Sequence, residues 1–238
     1  KLLFKFAHKH ISTVISPGNL LEKEVGKLVK SSVYIPLGVD TTHYFPAVSA
    51  VWAEKKRPEI VCVGRFDPVK GHEFLFEVFS RILKQKSTSK PILKIIGEPA
   101  NLSVDDLYQK AAKAGLCQED VVFITKRVTN LASFLQQATI GIIPSLRSES
   151  ICRVGEEFLL SGTPIVVSGV GSLEDCLFPG AGLSYKNHNM REVVNLIHSH
   201  LEFFFKETVE DRTIRSQKAK EIFSLESMSF SLESLLKN

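Results

Sequence analysis

Short, almost wholly apolar runs alternate with longer amphipathic stretches along most of this chain. The apolar runs, at residues 12–16, 33–36, 60–64, 92–97, 121–125, 140–144 and 164–168, predict β-strands. Runs such as Ile60-Val61-Cys62-Val63 and Ile165-Val166-Val167 lack the alternation of a strand with one wet face. They predict instead a parallel sheet covered on both sides. Between them, apolar positions recur with a helical period over 19–30, 72–86, 104–114, 131–138 and 150–161. Strand and helix in strict alternation, with short connections, predict an α/β fold: a doubly wound parallel sheet of Rossmann-like type with C-terminal helices.

Three parts are expected. Residues 1–45 hold a helix–strand–helix unit too small to bury its own core, which is therefore assigned to a neighbouring domain, and a connection. Residues 46–205 form the α/β domain, and 206–238 are helical with a break near Ser224. The stretch 41–57, with Pro46 and the charged run Glu54-Lys55-Lys56-Arg57, has no period and reads as a linker.

Composition narrows the function classes. Thirty basic against twenty-six acidic side chains leave a formal charge of +4 in 238 residues. That excess suits a polyanionic ligand or an anionic membrane surface, and is too small and too dispersed to indicate nucleic acid. No apolar run reaches the ~18 residues of a membrane span and no secretory leader is visible. Cys62, Cys117, Cys152 and Cys176 are widely spaced, which argues against a disulfide framework or a zinc site and for a reducing compartment, the cytoplasm. The chain starts at Lys1 rather than Met, so it is expected to be a piece of a longer protein.

Ligands of doubly wound sheets bind at the loops that leave the carboxyl ends of the strands. Four such loops carry candidate chemistry. The first, Gly64 to Gly71, combines a glycine that lets a ligand approach the backbone with Arg65 and Lys70 beside a helix start, a set suited to a diphosphate or to two solvated surface cations. The second runs from Ser145 through Glu149, Ile151 and Cys152 to Glu157, with serines fit to cap a helix. On a helix Glu149 and Glu157 would stand about 12 Å apart and within roughly 80°, able to hold two hydroxyl-rich groups or simply to be a first-turn acid and a surface residue. The third, Ser168-Gly169-Val170-Gly171-Ser172-Leu173-Glu174, begins like a dinucleotide fingerprint but has Glu174 for the third glycine and Asn189 where an acid should follow, which argues against a nicotinamide site. It is read as a glycine turn near a ligand. The fourth, Thr125 to Asn130, flanks a base or is merely basic.

In order, these loops resemble the C-terminal, donor-binding half of the retaining GT-B glycosyltransferases called glycosyltransferase group 1. Ile35-Pro36-Leu37-Gly38-Val39-Asp40 is similar to that family's IPNGVD turn, with Leu37 for Asn. Gly64-Arg65 with Lys70-Gly71 resembles its GR…KG loop, and Pro144-Ser145, Glu149, Glu157 and Gly162-Thr163-Pro164-Ile165-Val166 its PS…E-x7-E…G-x-P-V-V series. The resemblance implies transfer of a sugar from a nucleotide diphosphosugar (UDP-, GDP- or ADP-linked) to a glycan or lipid-linked acceptor hydroxyl in cell-surface glycan or lipopolysaccharide synthesis. It implies Arg65 and Lys70 on the diphosphate and Glu149 on the donor sugar. Gly64 and the amides of Ile151 and Cys152 would lie near sugar and phosphate, Glu157 on the ribose, and Thr125 and Val128 near the base. No metal and no tightly bound cofactor are implied, two cations and a helix end supplying the charge that a metal supplies elsewhere. The acceptor domain would be a further partner preceding this chain, which alone would bind the donor without turnover. His198 and His200 face apart on a helix and make a poor metal pair, Phe203-Phe204-Phe205 reads as core packing, and basic residues 1–9 read as a packing helix that also suits weak association with the inner membrane face.

Overall fold

The computed structural model describes residues 11–86, 90–125, 128–147, 149–186 and 188–237. A six-stranded, wholly parallel sheet dominates it, built from β3 (Glu59–Val63), β4 (Ile92–Ile96), β5 (Val121–Ile124), β6 (Ile140–Ile143), β7 (Ile165–Ser168) and β8 (Gly182–Tyr185). Their order across the sheet is β5-β4-β3-β6-β7-β8. Ahead of it, β1 (Val14–Ser16), α1 (Asn19–Gly26) and β2 (Ser32–Tyr34) form a small parallel β-α-β unit. Residues 1–9, read above as a packing helix, lie outside the described residues.

Strand periodicity sorts the core into two layers. Ile60, Cys62, Leu93, Ile95, Ile140 and Ile142 face α2 (His72–Leu83), α3 (Val104–Lys113) and α6 (Met190–Phe205). Their neighbours Val61, Ile96, Ile143, Ile165 and Val167 face α4 (Leu131–Gln137), α5 (Arg153–Leu160) and α7 (Val209–Phe223). Both faces of each central strand are therefore dry, which is why the sequence shows continuous apolar runs there. The short β8 carries no such run, because Gly182 and Ser184 occupy half of it. Phe204 is buried as expected of the phenylalanine run, while Phe203 is exposed and walls a groove of about 420 Å³ with Ile214. No helix among the described residues is long and apolar enough to cross a membrane.

The aperiodic stretch 41–57 is more than a tether. Trp52 within it is fully buried, and the guanidinium of Arg212, on α7, lies 3.6 Å from the centre of its ring. Arg212 is itself fully buried and donates to the carbonyls of Ala138 (2.9 Å) and Thr139 (3.1 Å) and to Thr163 Oγ1 (3.2 Å). Glu207 balances the charge of Arg212 and of Arg215, which also donates to the carbonyls of Gly162 and Gly180. Burial pulls the Arg212 guanidinium down to about 9, with Glu207 opposing. This indole–guanidinium stack holds the linker and α7 against the starts of β6 and β7. The last helix, α8 (Leu225–Lys237), follows a break at Ser224, whose extended backbone bridges Val39.

Trp52→Ala uncovers one face of a buried cation as well as leaving a cavity, and is expected to cost about 3–5 kcal/mol in urea unfolding. Trp52→Phe, which keeps a π face, is expected to cost clearly less than Trp52→Leu, which fills a comparable volume without one; equal losses for these two would show that the stack contributes nothing beyond volume.

Candidate functional site

Strand order reverses at β3, with β4 and β5 on one side and β6, β7 and β8 on the other. At such a reversal the loops leaving the two adjacent strands part and open a crevice beyond their carboxyl ends. Here those loops are 64–71, after β3, and 144–152, after β6.

The first loop is shaped by Asp67, whose carboxylate accepts from the Val69 N–H (2.9 Å) to cap the turn Pro68–Lys70, and from Asn101 (2.6 Å). Gly71 follows with φ of +74°, and a Cβ there would sit 2.1 Å from the Pro144 carbonyl oxygen. Only glycine allows this contact, which presses the two loops together. The Leu146 N–H donates to the Val69 carbonyl across the same seam (2.8 Å).

Lys70 thereby meets the second loop. Its Nζ lies 2.6 Å from Glu149 Oε1, which also accepts from Ser145 Oγ at 2.5 Å. Ser145 is fixed through its own carbonyl, which accepts from Ser168 Oγ (2.6 Å) and lies 3.2 Å from His188 Nε2. The third loop backs Glu149 from behind. Gly171, with φ of +61°, would carry a Cβ 2.0 Å from the Glu149 carbonyl oxygen, and the Ser172 N–H donates to that oxygen (2.9 Å). That glycine turn, read above as lying near a ligand, lies against the backbone of Glu149.

Lys70, Ser145, Glu149, Ile151, Cys152 and Arg153 wall a cavity of about 120 Å³. Gly64 lies beside the Lys70 stem. Arg65 is exposed at the end of β3 and is not in this wall. The helix expected over 150–161 starts at Arg153; Cys152 stands at the cap position and makes no side-chain cap bond, so the serine cap does not form. The loop is spent on other contacts, with the Ser150 carbonyl against Gly18 and Glu149 against Ser172. Glu149 is consequently off the helix, and the 12 Å helical spacing to Glu157 does not apply.

A second cavity, of about 620 Å³, lies between residues 42–45 and the start of α4, with Tyr44, Val128, Asn130 and Gln136 in its wall. Val128 thus lines it, whereas Thr125, one residue past β5, is outside that wall, and Lys126 and Arg127 lie outside the described residues. Glu157 is half-buried on α5, and burial pushes its carboxyl above the usual range while a hydrogen bond from Tyr44 pulls it back. Burial in turn pushes the Tyr44 phenol up to about 12. Among the described residues no cluster of three or more His, Cys, Asp or Glu is placed to hold a metal ion.

Residues 47–220 match the family of glycosyl transferases group 1. The chain belongs to that family. Over 160 residues it is 31% identical to an uncharacterized 41.2 kDa protein in the cps region of Klebsiella pneumoniae, covering 66% of this chain and 40% of that one. It is 27% identical over 163 residues to the D-inositol 3-phosphate glycosyltransferase of Nocardia farcinica, covering 65% of this chain and 36% of that enzyme. The fold matches that of Anabaena Alr3699/HepE in complex with UDP and glucose, with a TM-score of 0.80 at 18% identity over 99% of this chain and 66% of that one. The matched part thus amounts to roughly two-fifths of these relatives' length. Within this group 1 domain the sheet is Rossmann-like, as in GT-B glycosyltransferases.

Three residues at or beside these cavities carry little signal of their own in the sequence. Ser145 is visible only as part of a motif, Tyr44 sits in the aperiodic linker, and Glu156 is hidden beside Glu157. Glu156 is buried, with Arg153 Nη1 3.7 Å from its carboxylate. Desolvation pushes its carboxyl up to about 7, with Arg153 opposing and Glu157 assisting.

A carboxyl raised in this way holds a proton in the folded chain that the unfolded chain, with a value near 4.5, has lost. Stability therefore falls as pH rises from about 4.5 to about 7 and levels off above. Glu156→Gln is expected to abolish that fall, gaining up to roughly 3 kcal/mol on the wild type between pH 5 and pH 8 in urea unfolding. A pH-independent difference would show that Glu156 ionises normally.

Proposed function

We propose that this domain binds a nucleotide diphosphosugar and, joined to an acceptor-binding domain, transfers the sugar to an acceptor hydroxyl with retention, in cell-surface glycan or lipopolysaccharide synthesis. The observation that carries the reading is the meeting of Lys70 and Glu149 in the crevice where strand order reverses. One is a cation for a diphosphate; the other is an acceptor for sugar hydroxyls. Anabaena Alr3699/HepE, whose fold this chain shares, is described in complex with UDP and with UDP-glucose, which supports a nucleotide-sugar donor.

In the free chain the two charges neutralise each other. An incoming diphosphate draws the Lys70 ammonium away, and Glu149, still held by Ser145, is left to accept hydroxyls of the sugar. When the glycosidic bond to phosphate breaks, negative charge grows on the leaving nucleoside diphosphate, and Lys70 meets it. Arg65, exposed at the end of β3, contributes a second cation, and the backbone amides of Ile151 and Cys152 face sugar and phosphate. No metal ion is needed in this reading. Glu157 takes the ribose, and the wall near Val128, with Thr125 at its edge, takes the base. The work is cytoplasmic, at or near the inner membrane face where a lipid-linked acceptor is exposed.

A second reading follows from length. Because the chain matches only about two-fifths of its relatives, it binds donor without turnover when alone. Sugar transfer by this chain without any added domain would overturn that.

At least one of UDP, GDP and ADP is expected to raise the melting temperature by mass action, and no shift with any of them at millimolar concentration would overturn the donor assignment. In the intact enzyme Lys70→Ala is expected to lower kcat by about 10²–10³, with a smaller change in KM. Unchanged turnover would remove Lys70 from the chemistry.

A further inference from the structure

Among the described residues His188 is the only one other than glycine with a positive φ, +46°. Glycine takes that left-handed conformation freely, whereas a residue with a Cβ is crowded in it. His188 lies in the loop between β8, which ends at Tyr185, and α6, which starts at Met190. A crowded backbone of this kind persists where the surroundings of the side chain hold it.

Those surroundings are specific. The ring stands edge to face with Phe74 (centroids 5.2 Å apart, planes at 84°) and with Tyr185 (5.8 Å, 86°). Phe74 belongs to α2, the helix that follows the Lys70 loop, and Tyr185 to the edge strand β8. Beyond these rings Nε2 lies 3.2 Å from the Ser145 carbonyl oxygen, on the loop after β6. A carbonyl only accepts, so Nε2 carries the proton and donates. Because β7 stands between β6 and β8, the side chain reaches across its end, where Ser168 Oγ donates to the same carbonyl at 2.6 Å. Ser145 is thus gripped at its carbonyl by two donors, and its hydroxyl donates in turn to Glu149 Oε1 (2.5 Å). His188 itself does not line the 120 Å³ cavity.

We propose that His188 is a positioning residue for the donor sugar: through the Ser145 carbonyl it fixes the serine whose hydroxyl aims the Glu149 carboxylate. The inference rests on the donor-site reading above. In the free chain Lys70 and Ser145 both hold Glu149 Oε1. Once a diphosphate draws the ammonium away, Ser145 is the donor that remains on that oxygen, and the direction of the carboxylate follows from where the serine stands. Ser168 fixes the serine carbonyl from the end of β7 and His188 from the loop after β8, so two anchors leave the loop less freedom to turn than one. Hydrogen bonds to hydroxyls weaken steeply with angle, whereas attraction between an ammonium and a diphosphate is far less directional. His188 therefore acts on the sugar half of the donor and not on the diphosphate half.

The test is calorimetric titration of the chain with UDP and UDP-glucose, GDP and GDP-mannose, and ADP and ADP-glucose, in the wild type and four variants. His188→Phe keeps a ring among its aromatic neighbours and removes the N–H. His188→Gly accepts the backbone without crowding and removes the whole side chain. His188→Gln restores an N–H at similar reach, and Glu149→Gln probes the carboxylate itself. The quantity read is the affinity of each nucleotide sugar relative to that of its nucleoside diphosphate. That ratio is expected to fall about threefold to tenfold in His188→Phe and His188→Gly, the weight of one hydrogen bond. The nucleoside diphosphate should bind unchanged, and His188→Gln should recover at least half of the loss. If Glu149→Gln lowers the ratio but either His188→Phe or His188→Gly keeps it, the positioning role is overturned and the donor site stands. Equal weakening of both ligands, or no recovery in His188→Gln, overturns that role as well. If no nucleotide sugar binds, or Glu149→Gln leaves the ratio unchanged, the donor-site reading falls and takes the proposal with it.

Discussion

Two loops that leave neighbouring strands at a strand-order reversal part as they leave the sheet, and the arrangement of Lys70 and Glu149 depends on the seam that brings these two back together. The seam is made of backbone. Gly71 presses on the Pro144 carbonyl, the Leu146 N–H donates to Val69, and Gly171 supports Glu149 from the far side. Side chains would hold the loops apart at both glycines. With the backbones in contact, Lys70 and Glu149 close the remaining distance as an ion pair, and a cavity is left along them.

On the function proposed above, the Lys70–Glu149 ion pair sets a threshold as well as an attraction. A ligand with one charge cannot satisfy both partners, and a neutral sugar cannot replace the ammonium for Glu149. A molecule carrying a diphosphate beside a polyol does both at once. The Glu149 carboxylate is kept supplied with donors by the protein itself, from Lys70 and Ser145, so it does not face the cavity bare.

The central strands were legible because they are buried on both faces, and a dry strand writes itself as an uninterrupted apolar run. The loops that follow them were legible by position, since the reversal of strand order confines ligands to those ends. What could not be read was how the loops fold on one another. Helical spacing was used for Glu149, although the chain turns helical only at Arg153, because nothing local reveals that Ser150 and Glu149 are already engaged by Gly18 and Ser172. Trp52 and Tyr44 escaped notice for a related reason. Each is a single aromatic residue in an aperiodic stretch, and its partner, Arg212 or Glu157, lies more than a hundred residues away. Arg65 shows the converse, a cation conspicuous in the sequence that stands apart from the cavity wall.

The bridge between Val39 and Ser224 joins the far ends of the chain. The Val39 N–H donates to the Phe223 carbonyl and the Leu225 N–H returns a bond to Val39, while Gly38 lies against Met228 and Leu225. The segment leading out of β2 and the hinge before α8 are thus zipped together by main-chain bonds, with Gly38 giving the room for their close approach. A tilt of the N-terminal β-α-β unit would carry the final helix with it as one lever. Through Arg153, which donates to the Gly38 carbonyl, that lever also reaches the first turn of α5, at the edge of the crevice.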